Sequence, residues 1–163
     1  MLEDRSTLIS ANDNSINDKL ELYEIKRITE GEISIEDTFE SIQDNSVGAT
    51  VLFVGTVRNF NETDIVVGMY YESYIKMAEG RMQIIINDAR QKWNIKCKVL
   101  HRIGDLEVGD ISVVAAVSAF HRHDAFDACQ YIMERIKREV QIWKKERLSG
   151  GDERWVKGYL KEK

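Results

Sequence analysis

The sequence predicts one α+β domain in which two main helices pack on a mixed or antiparallel sheet. Strand-like and helix-like patterns alternate irregularly along 163 residues, a length typical of a single compact domain. Hydrophobic residues make up 43% of the chain and charged residues 31%, which is enough apolar surface for a core and enough charge for a hydrated exterior. A fibrous or disordered protein is therefore excluded.

The N-terminal part of the chain is polar at first and then shows strand-like and helix-like hydrophobic patterns. Residues 1–20 are rich in Ser, Asn and Asp and have no hydrophobic period, which predicts a mobile polar tail before a single domain over residues 21–163. Apolar residues alternate loosely over Glu21–Arg27, as in a strand. Ser34 can then cap a short amphipathic helix, because Asp37 follows three residues later. The apolar residues of this helix at helical spacing are Ile35, Phe39 and Ile42.

Two strands and a helix are predicted in the middle of the chain. The segment Gly48–Val57 is an almost continuous run of β-branched and apolar residues, which is typical of a central strand. Ile65–Tyr74 reads as a second strand, because its aromatic residues favour a pleated surface. A helix follows and ends near Trp93. Its predicted buried face comprises Ile75, Ala78, Met82, Ile85, Ile86 and Ala89.

The C-terminal half repeats this alternation. Ile95–Ile103 and Ile111–Ala119 predict strands, and Gly104–Asp110 between them predicts a loop. A long helix begins near His121, and a short basic and aromatic segment, Gln141–Arg147, follows it. The predicted core face of the long helix comprises Ala125, Cys129, Ile132, Met133, Ile136 and Val140.

Cysteine usage, charge and hydropathy limit the possible partners. Cys97 and Cys129 lie in apolar surroundings and not at metal-ligand spacing, so we expect two small buried residues and no metal. No stretch reaches the roughly 20 apolar residues of a membrane span, and the chain does not begin like a secretory signal, so a cytoplasmic protein without a membrane partner is expected. The net charge of −5 argues against nucleic-acid binding, and an anionic ligand would need a local basic pocket.

Two clusters could form such a pocket. The first, Gly55–Arg58, lies at a strand end, where a rigid sheet fixes the backbone while the side chain meets solvent. The second, His121–Phe126, begins the long helix, where unpaired N–H groups and the helix dipole favour phosphate or carboxylate. Histidine is a frequent general acid or base, so His121 is a candidate for that role. The alternatives are that Arg58 is merely solvated and that His123 and Asp124 only support the first helical turn.

The third cluster consists of Lys137 and the segment Trp143–Glu146. Lys137 lies beside Ile136 at the edge of the buried helix face, where partial desolvation and a second nearby lysine would favour a neutral amine. Such an amine can act as a base or a nucleophile. The alternative is an ordinary solvated face of a charged helix.

Helix geometry restricts how these clusters can meet. Lys137 lies 16 residues after His121, or about 24 Å along a continuous helix at 1.5 Å per residue. A small ligand cannot span that distance. If both ends serve one site, either the helix breaks or the two ends come from different subunits of a symmetric dimer. We predict the dimer.

In this order and spacing, the clusters resemble the catalytic (large) subunit of molybdopterin synthase, the MoaE family. The resemblance extends from about Leu22 to about Lys157. The matching segments are Gly55–Asn59, His101–Gly104 with Gly109, His121–Arg122 with Ala125–Phe126, Lys137, Ile142–Glu146 and Arg154–Val156.

The resemblance implies a fold, partners and a reaction. The fold would be of the α/β hammerhead type, and a homodimer would bind two copies of a small ubiquitin-like sulfur carrier in a heterotetramer. Each carrier would insert a C-terminal Gly-Gly tail that ends in a thiocarboxylate. Two sulfurs would pass to cyclic pyranopterin monophosphate and give the dithiolene of molybdopterin, a sulfurtransferase step of molybdenum cofactor biosynthesis. Neither a metal nor a redox cofactor is implied.

The resemblance also assigns roles to individual residues. Lys137 and Lys144 match the catalytic pair, which would activate the thiocarboxylate or hold a covalent intermediate. The positions that match those holding the pterin and its cyclic phosphate are Arg58, His121 and Arg122. The residues that would complete the pocket are Thr56, Val57, Lys145 and Glu146. One departure is Gln141, where family members usually have Pro.

Two other functions compete with this one. A non-catalytic adaptor would keep the carrier-binding groove without the chemistry, but a pure binding module needs neither paired lysines nor an anion site. A phosphate-dependent transferase or nucleotide-binding domain is disfavoured, because the chain has no glycine-rich phosphate loop of the expected pattern.

Overall fold

The computed structural model describes residues 26–156, which form an α+β fold as predicted. The predicted tail and most of the segment Glu21–Arg27 lie outside these residues. The elements in chain order are β1 (Ile28–Thr29), α1 (Ile35–Glu40), β2 (Ala49–Thr56), β3 (Val66–Ser73), α2 (Ile75–Lys92), β4 (Ile95–Arg102), β5 (Gly104–Glu107), β6 (Ile111–Ala119), α3 (Arg122–Glu139), β7 (Ile142–Leu148) and β8 (Glu153–Trp155).

The first sheet has the strand order β1-β4-β6-β2 and is mixed. The pairing of β1 with β4 is parallel, whereas β4 and β2 both pair antiparallel with β6. The long helices α2 and α3 pack together on one face of this sheet, and their predicted apolar faces are buried there, apart from the half-exposed Ile75 at the start of α2. The main core therefore lies between this helix pair and the inner strands β4 and β6.

The buried face predicted for the short helix α1 is only partly correct, because Ile42 is buried as predicted but the other two apolar residues are not. Ser34 caps it as expected, since its Oγ accepts a hydrogen bond from the Asp37 N–H. Ile35 and Phe39, however, are each 37% exposed, while Thr38 is buried. Thr38 is buried because α1 contacts the sheet face opposite to the long helices, where the Ser118 hydroxyl of β6 donates to the carbonyl of the buried Ile42.

The segment Gly48–Val57 forms β2 as predicted, but the prediction of a central strand was wrong. Strand β2 is an edge of the first sheet, and Leu52 and Val54 are each 37% exposed on it. Its pairing with β6 skips one residue near its end, because Gly55 pairs with Val113 and Thr56 with Ile111. This β-bulge sets the direction in which the chain leaves the sheet.

The second sheet is antiparallel and has the order β5-β3-β7-β8. The segment Gly104–Asp110 was predicted as a loop, but its first four residues form β5 and pair with Gly68–Tyr71. This strand carries only one buried apolar side chain, Leu106, so its sequence pattern is too weak to predict a strand. The segment is a strand because it pairs with β3. Leu106 packs in a small second core with Val57, Met69 and Tyr71.

No helix within residues 26–156 is both long enough and apolar enough to cross a membrane.

Two glycines give a paired test of this packing. A Cβ at Gly48 would overlap the carbonyl oxygen of Phe120, whereas a Cβ at Gly80, inside α2, meets no atom within 4 Å. We expect Gly48→Ala to lower the free energy of unfolding by about 1–3 kcal/mol, because a backbone atom must move. We expect Gly80→Ala to raise it by about 0.5–1 kcal/mol, because alanine favours a helix interior. Urea denaturation measures both, and equal effects of the two substitutions would contradict the packing described.

Candidate active site

The end of β2 presents Arg58 to solvent from a rigid support. Val57 is 2% exposed and packs in the second core, so its side chain anchors the strand end. Its N–H donates to the Asp110 carbonyl and its carbonyl accepts from the Gly109 N–H. The neighbouring Thr56 and Arg58 are both exposed. The side chain of Val57 is thus buried in the second core, and its predicted contact with substrate stays a prediction.

The two lysines come from the end of α3 and from the strand that follows it. Lys137 is exposed in the last turn of the helix, which ends at Glu139. The chain then turns into β7, whose pairing with β3 places Lys144 opposite Tyr71. The segment Gln141–Arg147, to which the sequence assigned no structure, is thus mostly strand.

The charge cluster forms around the Lys144 amine. Lys144 has an exposed surface, yet the protein packed around its amine disfavours the charged form and lowers its pKa. The positive charges of Lys137 and Arg58 lower the pKa further, while the carboxylate of Glu146 raises it. The sequence placed the desolvated amine at Lys137, whereas in the structure it is the amine of Lys144 whose pKa burial lowers.

A buried histidine lies beneath this cluster. His101 is 7% exposed, and its ring meets the Tyr71 ring edge to face at 5.3 Å between centroids. Burial lowers its pKa to about 4, and the charge of Lys144 contributes in the same direction, against the opposing effect of the Arg102 carbonyl. The imidazole is therefore neutral at pH 7.

Glu146 and Lys145 lie on opposite faces of β7. Glu146 shares the face of Lys144, since side chains alternate along a strand, and it is 8% exposed. Lys145 lies on the other face, where its amine pairs with Glu153 at 2.5 Å and stands over the Tyr70 and Trp155 rings at 5.5 and 5.6 Å. Lys145 is thus held away from the Lys144 amine, and its predicted role in the pocket remains a prediction.

The second cluster surrounds the start of α3. A cavity of about 400 Å³ opens there, lined by Gly48, Ala49, Phe120, His121, Arg122 and His123. No side chain caps the N-terminus of α3, so its N–H groups and the helix dipole face this cavity together with Arg122. The arrangement suits a phosphate or a carboxylate.

Within one chain, the structure does not bring the second cluster, at the start of α3, together with the charge cluster around Lys144. Helix α3 is unbroken from Arg122 to Glu139, so His121 and Lys137 remain about 24 Å apart at 1.5 Å per residue. An apolar groove of about 350 Å³ runs between β2 and α3 toward Lys137. Its lining comprises Val51, Leu52, Phe53, Phe126, Cys129, Gln130, Met133, Glu134 and Lys137.

Several contributors to the site were missed in the sequence. Met133 lines the groove beside Phe126 of the second cluster, although the sequence suggested only a core role for Met133. Asn61 donates from Nδ2 to the Glu146 Oε2 at 2.7 Å, and Arg154 lies 3.5 Å from the same oxygen. The position of Asn61 in the polar loop that follows Arg58 was the only available signal.

The fold and site define an α+β protein with two clusters suited to anions and one desolvated lysine suited to acid–base or nucleophilic chemistry. The MoaE protein family model matches residues 28–139. A molybdopterin synthase catalytic subunit from Thermoplasma volcanium is 42% identical over 129 residues, which cover 78% of this chain and 94% of that protein.

Solved structures agree with this match. Molybdopterin synthase from Staphylococcus aureus superposes with a TM-score of 0.77 at 37% identity, over 80% of this chain and 96% of that one. A chain from a complex of subunits 1 and 2 of molybdopterin-converting factor from Helicobacter pylori shares the fold, with a TM-score of 0.66 at 19% identity over 83% of this chain and 91% of that one. The present chain belongs to the MoaE protein family, which confirms the resemblance seen in the sequence.

The charge cluster predicts opposite effects of two substitutions on the Lys144 pKa. Lys137→Gln removes a neighbouring positive charge and should raise this pKa, whereas Glu146→Gln removes a negative charge and should lower it. Arg138→Gln, at an exposed position whose guanidinium pairs with Glu139, should leave it unchanged. An NMR titration of labelled lysine side chains measures the Lys144 pKa in each variant. Shifts of the same sign in the first two variants would contradict the described cluster.

Proposed function

We propose that this chain is the catalytic subunit of a sulfurtransferase that converts cyclic pyranopterin monophosphate to molybdopterin, with sulfur from the thiocarboxylated C-terminus of a small carrier subunit. One observation carries the proposal. The positive charges of Arg58 and Lys137 lower the pKa of the Lys144 amine, and within residues 26–156 no ion pair neutralises any of the three.

This reaction brings two anions together. The cyclic phosphate of the pterin and the thiocarboxylate of the carrier repel each other unless positive charge lies between or beside them. Arg58 supplies a planar donor set suited to phosphate, and Lys137 supplies a second positive charge. The unneutralised cations therefore match the charge of both reactants.

Lys144 supplies the reactive amine. Desolvation and neighbouring positive charge favour its neutral form, which can accept a proton or attack the carbonyl carbon of the thiocarboxylate. In the second case the C–S bond breaks, an amide to Lys144 forms, and the sulfur leaves as hydrosulfide with one proton of the amine. Lys137, which remains exposed at the end of α3, is suited to stabilise the negative charge that develops on the reacting group. The two lysines thus divide the chemistry between them.

The second partner is another copy of this chain. Since α3 is unbroken, His121 and Arg122 can reach a site at Lys137 only from a partner subunit. The free edge of β2 and the apolar groove beside it offer surface for such a dimer. Two carriers on this dimer would make a heterotetramer, and the Helicobacter pylori complex of two different subunits supports a small partner.

We place the protein in the cytoplasm. Cys97 and Cys129 are both buried free thiols, which fits a reducing compartment.

Turnover by the purified protein tests the activity. With thiocarboxylated carrier, the wild type should convert cyclic pyranopterin monophosphate to molybdopterin, and Lys137→Ala and Lys144→Ala should each lower the rate by about 100-fold or more. Lys76→Ala, at an exposed position on α2, should match the wild type. Tight carrier binding by the wild type without product would instead support a non-catalytic adaptor.

Mixed dimers test the shared site. Co-expression of His121→Ala and Lys137→Ala chains should restore about a quarter of the wild-type activity, because half of the dimers are mixed and each contains one intact site. Co-expression of Lys137→Ala with Lys144→Ala should restore none, since both lysines come from the same chain. Equal recovery in both mixtures, or recovery in neither, would contradict a site shared between subunits.

A further inference from the structure

The loop that follows Arg58 is organised by one side chain, that of Asn61. Its Oδ1 accepts hydrogen bonds from the backbone N–H groups of Thr63 at 2.9 Å and Asp64 at 2.8 Å. The backbone N–H of Asn61 donates to the Asp64 carbonyl at 3.1 Å. An asparagine that bonds the backbone ahead of it in this way closes a tight turn. The conformation of the loop therefore depends on the Asn61 amide oxygen.

The nitrogen of the same amide points away from the loop toward β7. It donates to the Glu146 Oε2 at 2.7 Å, and Glu146 is 8% exposed. Arg154 Nη2 lies 3.5 Å from the same Glu146 oxygen and donates to Asp64 at 2.7 Å. Within the described residues these are the hydrogen-bond partners of the Glu146 side chain. Asn61 makes the shorter bond of the two, so it contributes most to fixing the carboxylate.

The position of Glu146 matters because of its neighbour Lys144. The two residues share one face of β7, and the Glu146 carboxylate is the nearby negative charge that counters Lys137 and Arg58 at the Lys144 amine. A rotation of this carboxylate would change the field at that amine steeply, since charge interactions at short range in a partly desolvated site are strong.

We propose that Asn61 is a positioning residue for the reaction, whose amide holds Glu146 beside Lys144 and fixes the loop that follows Arg58. This inference rests on the proposed function. Asn61 makes no direct contact with the reacting groups in this arrangement and acts through Glu146. The contribution that Asn61 makes through its bond to Glu146 should therefore disappear once Glu146 is removed.

The test compares Asn61→Ser in two backgrounds. Serine keeps an oxygen that can support the turn but is too short to reach Glu146. In the otherwise wild-type protein, Asn61→Ser should lower kcat about tenfold, which corresponds to losing one hydrogen bond to a buried charged group, while carrier binding is unchanged. In a Glu146→Ala background it should change kcat by less than about twofold, because coupled residues are not additive.

A second variant and a control separate positioning from folding. Asn61→Asp keeps the turn oxygen, loses the donor and faces Glu146 with a like charge, so it should lower kcat at least as much as Asn61→Ser. Asn87→Ser removes a comparable hydrogen bond on the exposed side of α2, where the Asn87 Oδ1 accepts from Gln83, and should leave kcat within about twofold of the wild type. Melting temperatures report any loss of stability in each variant.

The outcomes distinguish the inference from the proposed function. A wild-type kcat for Asn61→Asp, or a tenfold loss for Asn61→Ser in both backgrounds, would overturn the role of Asn61 while leaving the activity established. No product from the wild type would overturn the activity, and with it the inference. A loss of kcat that disappears in the Glu146→Ala background would support both.

Discussion

The continuity of helix α3 is the constraint on which the site depends. Its buried face, from Ala125 to Ile136, packs against the first sheet and the helix α2, so the helix cannot bend without breaking the main core. Its two ends carry different groups, with an N-terminus that no side chain caps at one end and Lys137 at the other. The rigid helix therefore keeps apart two groups of residues that the proposed reaction needs together. The proposed symmetric dimer would bring them together without any change of fold.

An acidic chain can hold such a site because its charges are distributed unevenly. The net charge is −5, yet several negative side chains within residues 26–156 pair with cations outside the site. Arg135 illustrates this, since it bonds both Asp88 and Glu139 and holds the pKa of Glu139 down at about 2. The other described cations that have an acidic partner are Arg81, Lys96, Arg102, Arg138, Lys145, Arg147 and Arg154. Local convergence, rather than total charge, creates the attraction for anions.

Hydrophobic periodicity in the sequence predicted the helices and strands that bury a complete face. It failed where hydrogen bonding with a distant strand decides the structure. The helices α2 and α3 and the strand β6 were predicted because each has an apolar pattern of its own. The short strand β5 was missed because its partner β3 lies more than thirty residues earlier and its own pattern is weak. The same applies to the site. The clusters were visible as short segments, whereas the bond from Asn61 to Glu146 joins residues 85 positions apart and leaves no local signal.

At the turn between α3 and β7, contacts with β3 accompany the end of the helix, where a proline would otherwise end it. Proline would end the helix by its ring geometry, but this chain has Gln141 and no proline. The helix nevertheless ends at Glu139, Val140 is extended, and the Ser73 hydroxyl donates to the Gln141 carbonyl at 2.8 Å. Ser73 then pairs with Ile142, which begins the β3–β7 ladder.

The register of that ladder decides which lysine reaches the site. Side chains alternate along a strand, so a slip of one residue would turn Lys144 outward and bring Lys145 to the face of Tyr71. The pairing of Tyr71 with Lys144 and of Tyr70 with Lys145 prevents this, and the ion pair of Lys145 with Glu153 on the outer face adds to it. The placement of the Lys144 amine is thus a property of the second sheet, and α3 contributes only the charge of Lys137 beside it.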